Sequence, residues 1–165
     1  MRKTKAAGPR LYRTRSPGSR YPGTKRRGEL AELAFLHRAS KLGLKVSKPY
    51  GDSDLYDFIV DTGRRLLKVQ VKSTGHVASP GVYSVNAGRH LCGGVVPYKR
   101  SQVDFMVVHI VPEDGWYILP MRVVGWRVSL RLPSSEHAKA GAYGKYREAW
   151  GLLEGQRAGE GRAKA

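Results

Sequence analysis

Residues Tyr56–Lys72 read YDFIVDTGRRLLKVQVK, two apolar runs (55–60 and 65–72) on either side of Asp61, Thr62 and Gly63. Runs of this length around a glycine turn predict a β-hairpin. Strand side chains alternate between faces, so Gln70 and Lys72 point one way while Val69 and Val71 point the other. A two-residue loop of Gly63-Arg64 puts glycine first, as a tight hairpin turn favours. That register pairs Thr62 with Arg65 and Asp57 with Gln70. A carboxylate, an amide and an ammonium then share one small patch of sheet. An aspartate and a lysine on neighbouring strands ordinarily make a surface ion pair. The amide beside them, in a strand of Leu and Val, asks for a further reason.

Upstream, GELAELAFLHRASKLG (28–43) is made of helix formers, with Gly43 as its stop and two acids, Glu29 and Glu32, near its start. The acids are expected in the first turn, where the helix dipole favours them. Helical spacing places Glu32 with Phe35, Leu36 and Ala39 on an apolar stripe that should lie on the sheet. An acid on such a stripe is costly unless something compensates it. A hard cation would do so: magnesium takes one or two protein carboxylates and completes its six oxygen ligands with water and phosphate. It polarises a phosphodiester and activates bound water. A nearby lysine, its pKa lowered by burial, can orient or deprotonate that water.

LKVSKP (44–49) reads as a short strand and YGDSD as a loop. VYSV (82–85) reads as a further short strand, and the glycine-rich 86–97 as a loop. VDFMVVHIV (103–111) is almost continuously apolar, as a central strand is. PEDG turns the chain into the strand WYILPM, and VVGWRVSLRL fits either an edge strand or a connection. YGKYREAWGLLEG (143–155) sets Tyr146, Trp150 and Leu153 at helical spacing, which predicts an amphipathic helix packed on the sheet. Helix, strands, helix in this order predict an α/β fold with a mixed sheet of four or five strands flanked by helices.

The 165 residues suit one domain. No apolar run approaches the roughly 20 residues a membrane span needs, and the charged N-terminus lacks the apolar stretch of a signal peptide. With a single cysteine, Cys92, no internal disulfide forms and no zinc site is expected; the five histidines have no ligand spacing. A cytoplasmic setting is expected. Net charge is +17, unevenly spread: residues 1–27 hold ten basic and no acidic residues, 28–154 hold 17 basic and 12 acidic. We read 1–27 as a disordered basic arm, 28–155 as the folded domain and 156–165 as a flexible tail. Such a surface favours polyanions, nucleic acid first among them.

GELAE followed by LG, then PYGD…YD, then VQVK resembles the PD-(D/E)XK nuclease superfamily over Gly28–Lys72, and more loosely through YKRSQVDFMVVHI and WYILP. Within it the chain is similar to group I intron-associated homing endonucleases, where glutamine stands in the usual acidic position; archaeal Holliday-junction resolvases share the core spacing. The resemblance implies a restriction-endonuclease-like core and Mg2+-dependent hydrolysis of double-stranded DNA to 5′-phosphate and 3′-hydroxyl ends. It assigns Glu32, Asp57, Gln70 and Lys72 to catalysis. Glu32, Asp57, Gln70 and the Val71 carbonyl would hold the metal, and Lys72 would activate water. Glu29 is the rival of Glu32, and Pro49 is given no role. Gln70 departs from the superfamily by bringing an oxygen without a charge. Arg26, Arg27, Lys99 and Arg100 are the candidate phosphate contacts, the nucleoid the expected location, and a homo-oligomer the expectation for an enzyme that cuts both strands. The rival readings are a junction-selective nuclease and a basic DNA-binding protein without catalysis.

Overall fold

The computed structural model describes residues 23–51, 53–138 and 141–154. Most of the predicted arm (1–22) and the tail (156–165) lie outside them. The first helix, α1 (Thr24–Lys41), starts earlier than expected. Lys25, Arg26 and Arg27 are good helix formers and make its first turn rather than the end of an arm. Its first turn therefore holds no acid, and Glu29 and Glu32 fall further in. The helix stops at Gly43, whose φ of 75° suits a residue without Cβ. There the Gly43 N–H donates to Ser40 C=O and the Leu44 N–H to Ala39 C=O, both at 3.0 Å, satisfying carbonyls the helix leaves open.

Among the described residues ten strands follow: β1 (Lys45–Ser47), β2 (Phe58–Asp61), β3 (Leu66–Thr74), β4 (Val77–Ser79), β5 (Val82–Asn86), β6 (Gly88–Leu91), β7 (Gly94–Pro97), β8 (Phe105–Ile110), β9 (Gly115–Pro120) and β10 (Ser129–Pro133). The main sheet is mixed and five-stranded, in the order β1-β2-β3-β8-β9, with β3 and β8 parallel and the other pairs antiparallel. Its two faces separate two cores by simple alternation. Val69, Val71, Val107, Trp116 and Ile118 meet Ala31, Phe35 and Ala39 of α1. Met106, Val108, Ile110, Tyr117 and Leu119 instead meet Tyr83, Val85, Leu130 and Leu132.

That second face differs from expectation. It is covered by a three-stranded antiparallel sheet, β10-β5-β4, and the one-turn helix α2 (Met121–Val124), not by a long helix. Residues 86–97, expected as a loop, form the separate hairpin β6–β7. The predicted helix over 143–155 is instead two 3-10 turns, Gly144–Tyr146 and Trp150–Leu153. Glu148 breaks it: its φ is 50°, and its carboxylate accepts the Trp116 N–H at 2.7 Å and the Trp150 indole N–H at 2.9 Å. Trp150 and Leu153 are nonetheless buried, with the Trp150 ring stacked 6.0 Å from Phe35. Among the described residues no helix is long and apolar enough to cross a membrane.

Candidate active site

The hairpin has the register its sequence predicts. Phe58 lies opposite Val69 and Asp61 opposite Leu66, and the Thr62 N–H donates to Arg65 C=O at 3.1 Å across the turn. Gly63, at φ 76°, donates its N–H to the Asp61 carboxylate at 2.7 Å. β3 runs on to Thr74, past the point where β2 begins. Beyond that point β3 keeps β8 on one side and loses its ladder partner on the other. The Asp57 carboxylate fills the gap. Its Oδ2 accepts the Val71 N–H at 2.7 Å and the Gln70 Nε2–H at 2.6 Å, and Gln70 Nε2 also reaches the Val71 carbonyl at 3.3 Å. Asp57, Gln70 and Val71 are thus one hydrogen-bonded knot at the place where two strands part.

Burial sets the electrostatics. Asp57 is pushed up to about 6, first by burial and then by the Glu32 charge, against the opposing pull of the Val71 N–H, Lys72 and Gln70. Burial lowers the Lys72 pKa, with Asp57 acting the other way. The Lys72 ammonium donates to the Tyr98 hydroxyl at 3.2 Å and lies 5.1 Å from the centre of its ring. Tyr98 is pushed up to about 12, chiefly by burial and next by Asp57, so its hydroxyl stays neutral.

Glu32 reaches the site from α1 but is not on the buried stripe. That stripe is Ala31, Phe35 and Ala39; the Glu32 side chain is 24% exposed, and Leu36, expected inside, is 37% exposed. Its carboxylate makes an ion pair with Lys48 at 2.7 Å, and the hydrogen bond to Glu32 is the main cause of Lys48's raised pKa. Lys48 also feels Asp57 and Glu29, so it sits among the acids and neutralises part of their charge. Lys48 and Tyr98 were missed by sequence reading. Neither lies in a periodic run, and only tertiary contact brings them to the hairpin. Of the candidate phosphate contacts, Arg26 and Arg27 are exposed on the first turn of α1 and Lys99 and Arg100 are exposed after β7. Arg100 lines a cleft of about 200 Å³ together with Arg65 and Arg122.

Whether these residues suit a metal follows from the donor set. Asp57 and Glu32 are two carboxylates close enough to raise the pKa of one, and the remaining donors, an amide and a backbone carbonyl, are also oxygens. Among the described residues no three His, Cys, Asp or Glu come together. Two carboxylates with neutral oxygen donors suit a hard cation that keeps several of its waters. To serve as a ligand, the Gln70 amide must turn its oxygen toward Asp57 in place of the NH2 that now faces it.

A family model described as PD-(D/E)XK endonuclease matches residues 23–153. Among solved structures, the chain is similar to a bacterial homing endonuclease, I-Ssp6803I. The identity is 29% and the TM-score 0.65, over 81% of this chain and 93% of that one. No curated protein matches.

Proposed function

Since the chain belongs to the PD-(D/E)XK endonuclease family, we propose that it is a magnesium-dependent endonuclease that hydrolyses double-stranded DNA in the manner of a homing endonuclease. The observation that carries the reading is the knot at the strand divergence, with Asp57 held by Gln70 and Val71 and the half-buried Lys72 on the face of β3 that Gln70 shares. Asp57, Glu32, the Gln70 amide oxygen and the Val71 carbonyl would hold the ion. When bound, it polarises the phosphodiester and acidifies water.

The protein groups do the rest. Tyr98, neutral and hydrogen-bonded to Lys72, fixes where the ammonium sits. Burial favours the neutral amine, so Lys72 can take the proton of the attacking water as its oxygen bonds phosphorus. The P–O3′ bond breaks, and the departing O3′ takes a proton from solvent water, leaving a 3′-hydroxyl and a 5′-phosphate. Arg26, Arg27, Lys99 and Arg100 carry exposed positive charge for backbone phosphates, which position the duplex without specifying sequence. A homo-oligomer supplies the second centre that cutting both strands requires, and a DNA substrate places the protein at the nucleoid.

The test offers the full-length chain supercoiled plasmid and a synthetic four-way junction, in Mg2+ or in EDTA. The expected result is Mg2+-dependent nicking of plasmid, with nicks that DNA ligase reseals. Cutting confined to the junction would mark a structure-selective nuclease, and binding without cutting in either buffer would mark an inert DNA-binding protein.

A further inference from the structure

Hairpin β6–β7 pairs with neither of the other sheets, yet its base is firmly set. The Ala87 N–H donates to Val128 C=O and the Gly88 N–H to the Asn86 side chain, both at 2.9 Å. A Cβ on Gly88 would come within 2.9 Å of the Val96 carbonyl oxygen, so the two strands meet too closely there for any side chain. Arg89 lies opposite Val96, and Tyr98 follows two residues further along the same chain. Alternation turns Arg89 toward the face that Val96 and Tyr98 share. Tyr98 is the residue that receives the Lys72 ammonium, and its ionisation is eased by the charge of Arg89. The hairpin thus brings a second cation to the Lys72 side of the site.

Arg89 has an unusual environment. Its Nε is buried without a hydrogen-bond partner, and among the described residues it takes part in no ion pair. Among the described residues the other partly buried arginine with a buried unpaired nitrogen, Arg147, is accounted for: it pairs with Glu113 at 2.9 Å and packs over the Tyr117 ring. A guanidinium stays charged at any working pH, and leaving its Nε–H unpaired out of water is costly. An anion that reaches this edge of the guanidinium would give the Nε–H the partner it lacks. Its planar fork matches two oxygens of a phosphate.

We propose that Arg89 binds a backbone phosphate of the DNA strand being cut, on the side of Lys72 away from Asp57 and Glu32. The identity of the anion rests on the nuclease reading above. The contact explains why the hairpin is held so firmly at its base, since it carries one fixed phosphate grip to the reacting centre.

The test compares full-length wild type, Arg89→Met and Arg89→Lys. Methionine keeps an apolar stem without charge; lysine keeps a charge without the fork. A fluorescent mixed-sequence duplex in EDTA reports binding against salt, supercoiled plasmid in Mg2+ reports nicking, and thermal unfolding reports the fold. Arg89→Met should flatten the slope of log K against log salt by about one. It should slow nicking about 10–100-fold, the loss of a charge-assisted contact. Its thermal midpoint should hold or rise, because a buried N–H without a partner is gone. Arg89→Lys should keep the salt slope and nick more slowly than wild type. An unchanged slope and rate in Arg89→Met would overturn the proposal. So would a fall in thermal midpoint in both variants, which would make Arg89 a packing group. A wild type that nicks no plasmid defeats the nuclease reading, while the slope difference still decides whether Arg89 meets phosphate.

Discussion

Asp57→Asn should make the protein more stable while making it inactive. The Asp57 carboxyl titrates at about 6 in the fold, against an ordinary 3.8, because burial and the Glu32 charge oppose its ionisation. A raised carboxyl pKa means the folded state holds the proton more tightly than the unfolded chain does. Stability from this group is therefore full below about pH 3.8 and is lost as pH rises through about 6. The gap of roughly two units corresponds to about 3 kcal/mol at neutral pH. Asparagine removes the charge and keeps an oxygen to accept the Val71 N–H and Gln70 Nε2–H. For a chain of 165 residues, about 3 kcal/mol is a rise of about 6–12 °C in Tm. The assay is thermal unfolding from pH 4 to 8, in EDTA and in Mg2+. In EDTA the variant should melt higher than wild type at pH 7.5, and the difference should vanish near pH 4. Mg2+ should raise the wild-type midpoint and leave the variant unmoved. A variant equal to or less stable than wild type at pH 7.5 would show that the Asp57 charge does not destabilise the fold, as would a gap that persists at pH 4.

Gln70→Glu sets a second carboxylate against Asp57, so in EDTA it should cost about 1–3 kcal/mol; Mg2+ should restore the midpoint and cleavage should persist. Gln70→Leu should fold and fail to cleave, and an active Gln70→Leu would end the role of the amide as ligand. Lys48→Ala removes a largely exposed ion pair, worth about 0–1 kcal/mol, so Tm should barely move. The Mg2+ concentration for half-maximal nicking should fall, because ammonium and metal no longer compete for Glu32; an unmoved titration would count against that competition. Phe35→Ala opens a hole between α1, Phe58 and Trp150 and should cost about 3–5 kcal/mol by denaturant unfolding. Removing residues 1–22, with seven basic and no acidic residues, should weaken duplex binding and flatten its salt slope.

The hairpin of β2 and β3 was legible because alternation and a glycine turn fix register together; Asp57 could face only Gln70. The mixed sheet was legible from the apolar runs that became β8 and β9. Elsewhere local pattern misled. Gly88, Gly93 and Gly94 made residues 86–97 read as a loop. In the fold, Gly88 is demanded by close strand approach, and Gly93, at φ 95°, makes the hairpin turn. The aromatic spacing of 143–155 mimicked a helix, although the burial it implied is met through two 3-10 turns around Glu148. The start of α1 was misplaced because its first turn carries no apolar residue to mark it. Lys48, Tyr98 and Arg89 join the site only through packing of distant segments, and nothing in their neighbours announces that.

On the nuclease reading, Lys72, set between Asp57 and Tyr98, takes part in cutting DNA. The direct measurement is the single-turnover nicking rate of supercoiled plasmid in Mg2+, wild type beside Lys72→Ala, with duplex binding in EDTA measured on both. Wild type should nick, and Lys72→Ala should bind within a few-fold yet nick about 100-fold or more slowly, the loss of a positioned proton acceptor. Equal rates would remove Lys72 from the chemistry.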